Sequence, residues 1–219
     1  MTVNETDTGT APAAPAAPAA AFPLIGEPLA LDLLNTRPAA AGDLIAGPAG
    51  LAAWLHGQGG RLTPVAEVGA AELAAVHAVR EAADGALSAA VRGERPPARA
   101  LEALNAAMAA APAHRELVRE EGGLRSERVR AGAPAERLAA ELAEAVADLL
   151  TDPRVTSVRA CEAEDCVLLF LPAHPRRRWC VASACGNRAR VARYYARHKG
   201  DQVQTVTGSR AEERPETTS

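Results

Sequence analysis

All four cysteines of this 219-residue chain lie within 25 consecutive residues, in two pairs with the same internal spacing. Four residues separate Cys161 from Cys166, four separate Cys180 from Cys185, and thirteen lie between the pairs. Two close pairs with a hairpin-sized insert are what a tetrahedral thiolate site requires, because each pair aims two sulfurs at one point. The spacing therefore predicts one structural Zn²⁺ per chain, bound by all four cysteines.

Other roles for the cysteines fit this spacing less well. A redox pair usually has two intervening residues, two disulfides suit an oxidising compartment, and unlinked buried cysteines would not cluster at matched spacings. A closed four-thiolate site leaves no position on the metal for a substrate. The chain also lacks a glycine-rich phosphate loop and a serine-nucleophile elbow. We therefore expect a protein that is not an enzyme.

Around the cysteines we expect a small module whose folding depends on the metal, because segments below about 40 residues rarely bury enough surface to fold unaided. Its predicted parts are a strand over Val167–Leu171, a turn bounded by two prolines, and a return strand over Arg177–Cys180. Asn187 is the expected N-cap of a helix over residues 188–198. The apolar side of that helix should pack on the module through Val191, Tyr195 and His198.

Positive charge is concentrated in the same part of the chain. Residues 166–199 contain seven arginines, one lysine and no acidic residue, a charge of +8 against −11 for the remainder. This asymmetry indicates a polyanionic partner, with a solvated basic face as the alternative. A helix of this size fits a DNA major groove, so we expect duplex DNA to be bound by Arg176, Arg177, Arg178, Arg188, Arg190, Arg193, Arg197 and Lys199.

The sequence before residue 153 predicts a mostly helical structure. Apolar spacing predicts helices within residues 47–59, 70–91, 97–111 and 134–150, and a Gly-Gly pair predicts a β-hairpin over residues 116–132. Residues 23–37 permit a strand or a short helix. The expected class is α+β: a mostly α-helical amino-terminal domain with a small β element, then a small carboxy-terminal four-cysteine module of the zinc-ribbon or treble-clef kind, built from a β-hairpin and a helix.

The two ends of the chain have compositions typical of disorder. Residues 1–22 form an Ala/Pro-rich tail, with the Ala-Pro repetition after residue 10, and residues 200–219 are polar without apolar periodicity. The start lacks the basic residues and leucine-rich segment of a secretory signal, and no run of 18 apolar residues occurs. We therefore expect a cytoplasmic, nucleoid-associated protein with no membrane partner.

Two motifs resemble a known bacterial family. "RRWC" followed by "CGNRARVARYYARH" resembles the CGNR zinc finger, and "LALDLLNTR" at residues 29–37 resembles the motif of the ABATE domain. The resemblance implies stress-induced transcription regulators, with an ABATE-like domain over residues 23–152 and a CGNR zinc finger over 153–199. It also implies that the four cysteines are the zinc ligands. The chain departs from the family pattern at Val167 and Pro172, where glycine and an acidic residue are common.

The amino-terminal domain would then be a sensor or dimerisation unit, with a possible small-molecule effector and a possible homodimer. Asp32, Asn35 and Thr36 give the "LDLLNT" segment a polar edge that is either functional or a helix cap and buried hydrogen-bond network. RNA binding and docking on an acidic protein remain alternatives to DNA binding for the zinc module.

Overall fold

The computed structural model of the chain describes residue 22 and residues 26–207, with side chains as far as residue 198. The tail expected at residues 1–22 lies outside the described residues except for Phe22. Of the tail expected at 200–219, residues 200–207 are helical and residues 208–219 lie outside the described part.

The amino-terminal domain runs in the order α1 (Leu29–Leu34), α2 (Pro48–Gly57), α3 (Ala70–Val91), α4 (Ala98–Ala110), β1 (Ala113–Glu120), β2 (Gly123–Arg130) and α5 (Pro134–Thr151). The carboxy-terminal module follows with a 3-10 turn (Val155–Ser157), β3 (Arg159–Ala160), β4 (Leu169–Phe170), a π-helical turn (Ala182–Gly186) and α6 (Asn187–Thr207). These elements confirm the predicted α+β class. Among the described residues, no helix is both long and apolar enough to cross a membrane.

Helix α5 organises the core of the amino-terminal domain. Leu138, Leu142, Val146 and Leu149 recur at spacings of four, four and three residues, and all are buried as predicted. Helices α3 and α4 pack against this face and against each other. Many of the buried residues at these contacts are alanines, so the helices approach closely without large aromatic side chains.

The β-hairpin lies outside the core and is joined to α5 by side-chain ion pairs. Strands β1 and β2 pair antiparallel from Ala113↔Arg130 to Glu120↔Gly123, three residues earlier than the sequence pattern predicts. Arg128 and Arg130 both donate to the carboxylate of Glu144 on α5, which fixes the base of the hairpin. Most of its other side chains are exposed.

A buried arginine fixes the loop that follows α1. The Arg80 side chain on α3 is 1% exposed and donates to both carboxylate oxygens of Asp43, at 2.8 and 2.5 Å, and to Oγ1 of Thr36 at 2.8 Å. Hydrogen bonding from the Arg80 guanidinium lowers the pKa of the Asp43 carboxyl. These bonds hold the end of α1 on α3, and α1 in turn contacts β4 of the carboxy-terminal module.

We predict that Arg80→Met lowers the free energy of unfolding by about 3 kcal/mol, because Asp43 and Thr36 lose the buried guanidinium that both bond to and only the exposed Arg37 remains beside Asp43. Urea denaturation followed by circular dichroism measures the change. Arg92→Ala is the matched control at the exposed end of the same helix, where Arg92 pairs with Glu94, and should leave the midpoint unchanged. Equal effects of the two substitutions on the unfolding midpoint would contradict the stabilising role assigned to the buried Arg80 side chain.

Candidate metal centre and the surfaces it positions

The four cysteine sulfurs converge on one point. All four Sγ atoms lie within 4.8 Å of one another, and the Sγ of Cys180 lies 3.5 Å from that of Cys185 and 3.8 Å from that of Cys166. The Cys166 and Cys185 sulfurs are 3.8 Å apart. Zinc–thiolate bonds of about 2.3 Å in a tetrahedron place the sulfurs about 3.8 Å apart, so the donor set and its size fit Zn²⁺.

A tight turn aims the first pair. Cys166 donates its backbone N–H to Ala163 at 3.1 Å, and Cys161 donates its own to Leu168 at 2.9 Å. Asp165 completes the turn at φ 61°, in the left-handed region that aspartate tolerates better than most residues. The chain therefore reverses between the cysteines and returns both sulfurs to the same side.

The second pair is aimed by the π-helical turn that opens α6. Gly186 donates its N–H to Val181 at 3.2 Å, and the Trp179 ring lies over Gly186. A Cβ at residue 186 would lie 3.4 Å from the ring, at van der Waals contact. The glycine of the "CGNR" sequence thus lies directly beneath Trp179, which covers the metal turn.

The thiols of Cys180 and Cys161 have opposite pKa shifts. Burial raises the pKa of the Cys180 thiol, and its contacts with Cys185 and Cys161 raise it further. Burial also raises the pKa of Cys161, but N–H donors, among them Cys180 N–H at 3.4 Å from its sulfur, outweigh burial and lower it. Arg188 donates to the Cys185 sulfur at 3.2 Å. Bound Zn²⁺ would supply the remaining positive charge that four thiolates need.

The strand pairing in the module differs from the prediction. Strand β4, inside the predicted strand, pairs with β3 from before the first cysteine, in the register Arg159↔Phe170 and Ala160↔Leu169. The expected return strand over 177–180 is not a strand, although Arg178 accepts a hydrogen bond from Glu162 N–H at 3.0 Å. The backbone N–H groups of Arg177 and Cys180 bond to His174 O and to the Cys161 sulfur instead of to a neighbouring strand, which explains the irregular return.

Helix α6 also differs from the prediction in its start and in its buried side. Asn187 has helical φ and ψ instead of capping the helix, and its side-chain amide donates to Ser183 O at 2.7 Å within the π turn. Val191, Tyr195 and His198, expected to pack on the module, are all exposed. Because the π turn precedes α6, the helix is rotated so that Arg193 faces the module instead. The Cζ of Arg193 lies 6.0 Å from the centroid of the Trp179 ring.

Asn35, in the polar edge of "LDLLNT", forms hydrogen bonds to the zinc module. Asn35 is 4% exposed, donates through Nδ2 to Leu169 O at 2.9 Å and accepts from Leu169 N–H at 2.8 Å. Its amide therefore pairs with the free edge of β4 as a neighbouring strand would. These two hydrogen bonds join residues 134 positions apart in the sequence. Together with the bonds of Glu27 described next, we call them the clasp.

Glu27 supplies the second half of the clasp, and no sequence pattern pointed to it. Its carboxylate accepts from Leu171 N–H at 2.9 Å and from Arg177 at 2.7 Å. Arg177 also donates to Cys180 O at 2.6 Å and lies 4.4 Å from the Phe170 ring centroid. Arg177, expected to contact nucleic acid, is thus engaged inside the protein.

Asp32 and Thr36 lie within the amino-terminal domain. Asp32 accepts from Gly26 N–H at 2.9 Å and from Arg61 at 2.5 Å, and burial raises the pKa of its carboxyl despite these bonds. Thr36 donates to Leu33 O at 2.6 Å and accepts from Arg80. Of the two interpretations of the polar edge, these contacts favour the buried hydrogen-bond network.

The remaining predicted cationic residues have different surroundings. Arg178 forms an ion pair with Glu162 at 2.5 Å. Arg176, Arg190 and Arg197 are exposed, and Arg193 is exposed where it overhangs Trp179. The Lys199 side chain lies outside the described part of the structure. A nucleic-acid role for these residues stays a prediction.

We predict that Cys185→Ser lowers zinc content well below one ion per chain and removes hydrogen-exchange protection from residues 159–190. Helices α3 and α5 should keep theirs, because the cysteine cluster and the helical core are separate packing clusters. Metal analysis and exchange mass spectrometry provide the readouts. Ser183→Ala, at an exposed position of the same turn, should retain zinc. Full zinc content in Cys185→Ser would contradict the four-ligand assignment.

We predict that Asn35→Ala speeds amide exchange at Leu169, because it leaves a backbone N–H and C=O of β4 without partners, at a cost of about 1–3 kcal/mol. Zinc content should not change. Asn105→Ala, at an exposed position on α4, is the control. Unaltered exchange at Leu169 would show that the clasp contributes nothing to holding the module.

Two family models match the chain. Residues 27–153 match the ABATE model, described as "Putative stress-induced transcription regulator", and residues 157–198 match the CGNR zinc finger. The first match covers more than half of the chain, and the second contains all four cysteines. No curated protein matches the sequence.

Proposed function

The chain belongs to the ABATE family and carries a CGNR zinc finger, and from this premise we propose that it is a zinc-dependent regulator of transcription that binds duplex DNA. In this proposal the metal is structural and the protein binds without catalysis. Its place of action would be the nucleoid. The observation that supports DNA binding best is the exposed cationic helix α6, which begins at the metal site.

The charge and exposure of α6 favour a polyanionic partner. From Asn187 to His198 the helix contains four arginines and no acidic residue, and every residue from Val191 to His198 is exposed. Within the described part of the chain, α6 is in contact chiefly with its own π turn. A helix about 10–12 Å across fits a major groove about 12 Å wide.

The contacts of the module narrow the set of phosphate-binding residues. Arg190, Arg193 and Arg197 lie on one side of α6, within about 60° at 100° per residue, and Arg176 is exposed on the preceding loop. Because Arg177 is bound to Glu27, it would position the module instead of contacting phosphate. We therefore place the main phosphate contacts on α6.

The amino-terminal domain would set the position of α6 and respond to a signal. The Asn35 and Glu27 contacts join the finger to the same domain that contains a cleft of about 730 Å³ between β2, α5 and residues 60–64. Charged side chains line this cleft, including Arg61, Arg128 and Asp148. A small polar effector bound there is the sensor function we propose, and a homodimer is the other role open to the domain.

We predict that the triple variant Arg190→Ala, Arg193→Ala and Arg197→Ala binds a 20-base-pair duplex more weakly and with a flatter salt dependence. Each lost phosphate contact should reduce the slope of log K against log salt by about 0.9, so losing the contacts of Arg190 and Arg197 should reduce it by about 1.8, with Arg193, held over Trp179, contributing less. Fluorescence anisotropy at several salt concentrations measures both quantities.

The matched control replaces Arg95, Arg99 and Arg119, which are exposed on the amino-terminal domain, with alanine. It changes the net charge equally and should leave the slope near the wild-type value. A zinc-loaded protein that binds no duplex at low salt would overturn the proposed function, and binding to an acidic protein alone would favour the protein-interaction alternative. Stronger binding to single-stranded RNA than to duplex DNA would favour the RNA alternative.

A further inference from the structure

Helix α6 turns its alanine side towards the zinc module and its aromatic side away from it. Ala189 is partly buried, and Arg193 lies over the Trp179 ring. At 100° per residue, Val191 and His198 lie roughly 160–200° from Ala189 around the helix. The module therefore occupies one side of α6, and the opposite side faces solvent.

That opposite side is a continuous stripe of large side chains, which we call the aromatic stripe: Val191, Tyr194, Tyr195 and His198. Val191 and Tyr194 are each 52% exposed, and Tyr195 is 64% exposed. The Tyr194 ring stacks on His198 at 4.0 Å and meets Tyr195 edge-on at 5.8 Å. These ring contacts give the stripe a defined shape although no other element covers it in the described structure.

Arginines border the aromatic stripe on both sides. Relative to its centre, Arg190 and Arg197 lie about 90–110° to one side, at 100° per residue. Arg188 lies about 70° to the other side; it is exposed, although one of its nitrogens also donates to the Cys185 sulfur. A helix in a major groove presents its central side to the base edges and its flanks to the two phosphate backbones. The order arginine, aromatic stripe, arginine around α6 matches that arrangement.

Charge decides which partner covers the stripe. A second copy of α6 would bring its own Arg188, Arg190 and Arg197 against these three, without an acidic residue between Asn187 and His198 to offset them. Duplex DNA neutralises the flanks and offers base edges to the centre. We propose that the aromatic stripe contacts base edges in the major groove and so determines which DNA sequences the protein prefers.

The chemistry of the aromatic stripe suits this role. Val191 can contact a thymine methyl group, the tyrosine hydroxyls can donate to or accept from base edges, and His198 has a ring nitrogen bonded to Tyr194 O at 2.9 Å, which orients the imidazole. The inference rests on the proposed function and adds to it the residues that distinguish one duplex from another.

The test is a selection from a randomised 20-base-pair duplex pool with zinc-loaded wild-type protein. The enriched duplex and a scrambled duplex of the same composition are then compared for the variant Val191→Ala, Tyr194→Ala and Tyr195→Ala. We expect the variant to lose at least tenfold of the wild-type preference for the enriched duplex while its salt slope stays unchanged. Ala196→Gln, exposed on the other side of α6, should keep the preference.

Zinc content and circular dichroism of each variant confirm that the finger is folded. A stripe variant that retains the full preference overturns the inference, as does a wild-type protein that binds duplexes without enriching any sequence; both leave the proposed DNA binding standing. A wild-type protein that binds no duplex overturns the proposed function itself. A variant with a flatter salt slope and an intact preference would place these residues on phosphates and also contradict the inference.

Discussion

Convergence of four thiolates on one point is the constraint from which the functional half of this protein follows. Cys161 and Cys166 lie in a turn after β3, and Cys180 and Cys185 lie at the π turn that opens α6. The sulfurs of Cys166, Cys180 and Cys185 are 3.5–3.8 Å apart, close to the edges of a zinc–thiolate tetrahedron, and all four sulfurs lie within 4.8 Å of one another. Because α6 begins at the last ligand, the metal determines where its arginines are presented.

The zinc module is anchored to the amino-terminal domain through polar contacts. Asn35 bonds to the backbone of Leu169 on β4, and Glu27 accepts from Leu171 N–H and from Arg177. Arg80 bonds to Thr36 and so holds the loop that follows α1. The "LDLLNT" motif is thus the contact between the two family domains. In the proposed function, these bonds would connect an effector bound in the amino-terminal domain to the position of α6.

The sequence predicted the features that depend on local pattern or fixed chemistry. The apolar repeat of α5, the hairpin and the cysteine spacing were all visible in the chain itself. The clasp was not, because Asn35 and Leu169 are 134 residues apart and one asparagine leaves no periodic signal. The side of α6 that faces the module was predicted wrongly, since amphipathic pattern favours burying Tyr195 whereas the π turn places Arg193 over Trp179.

The central claim is that zinc creates the DNA-binding surface, and binding measured at graded zinc occupancy tests it most directly. Zinc is withdrawn stepwise from the full-length protein with a chelator, and duplex binding and bound metal are measured on the same samples. The account predicts that the fraction of protein able to bind duplex falls in proportion to the zinc-loaded fraction and returns when zinc is restored. Undiminished duplex affinity in the zinc-free protein would contradict it.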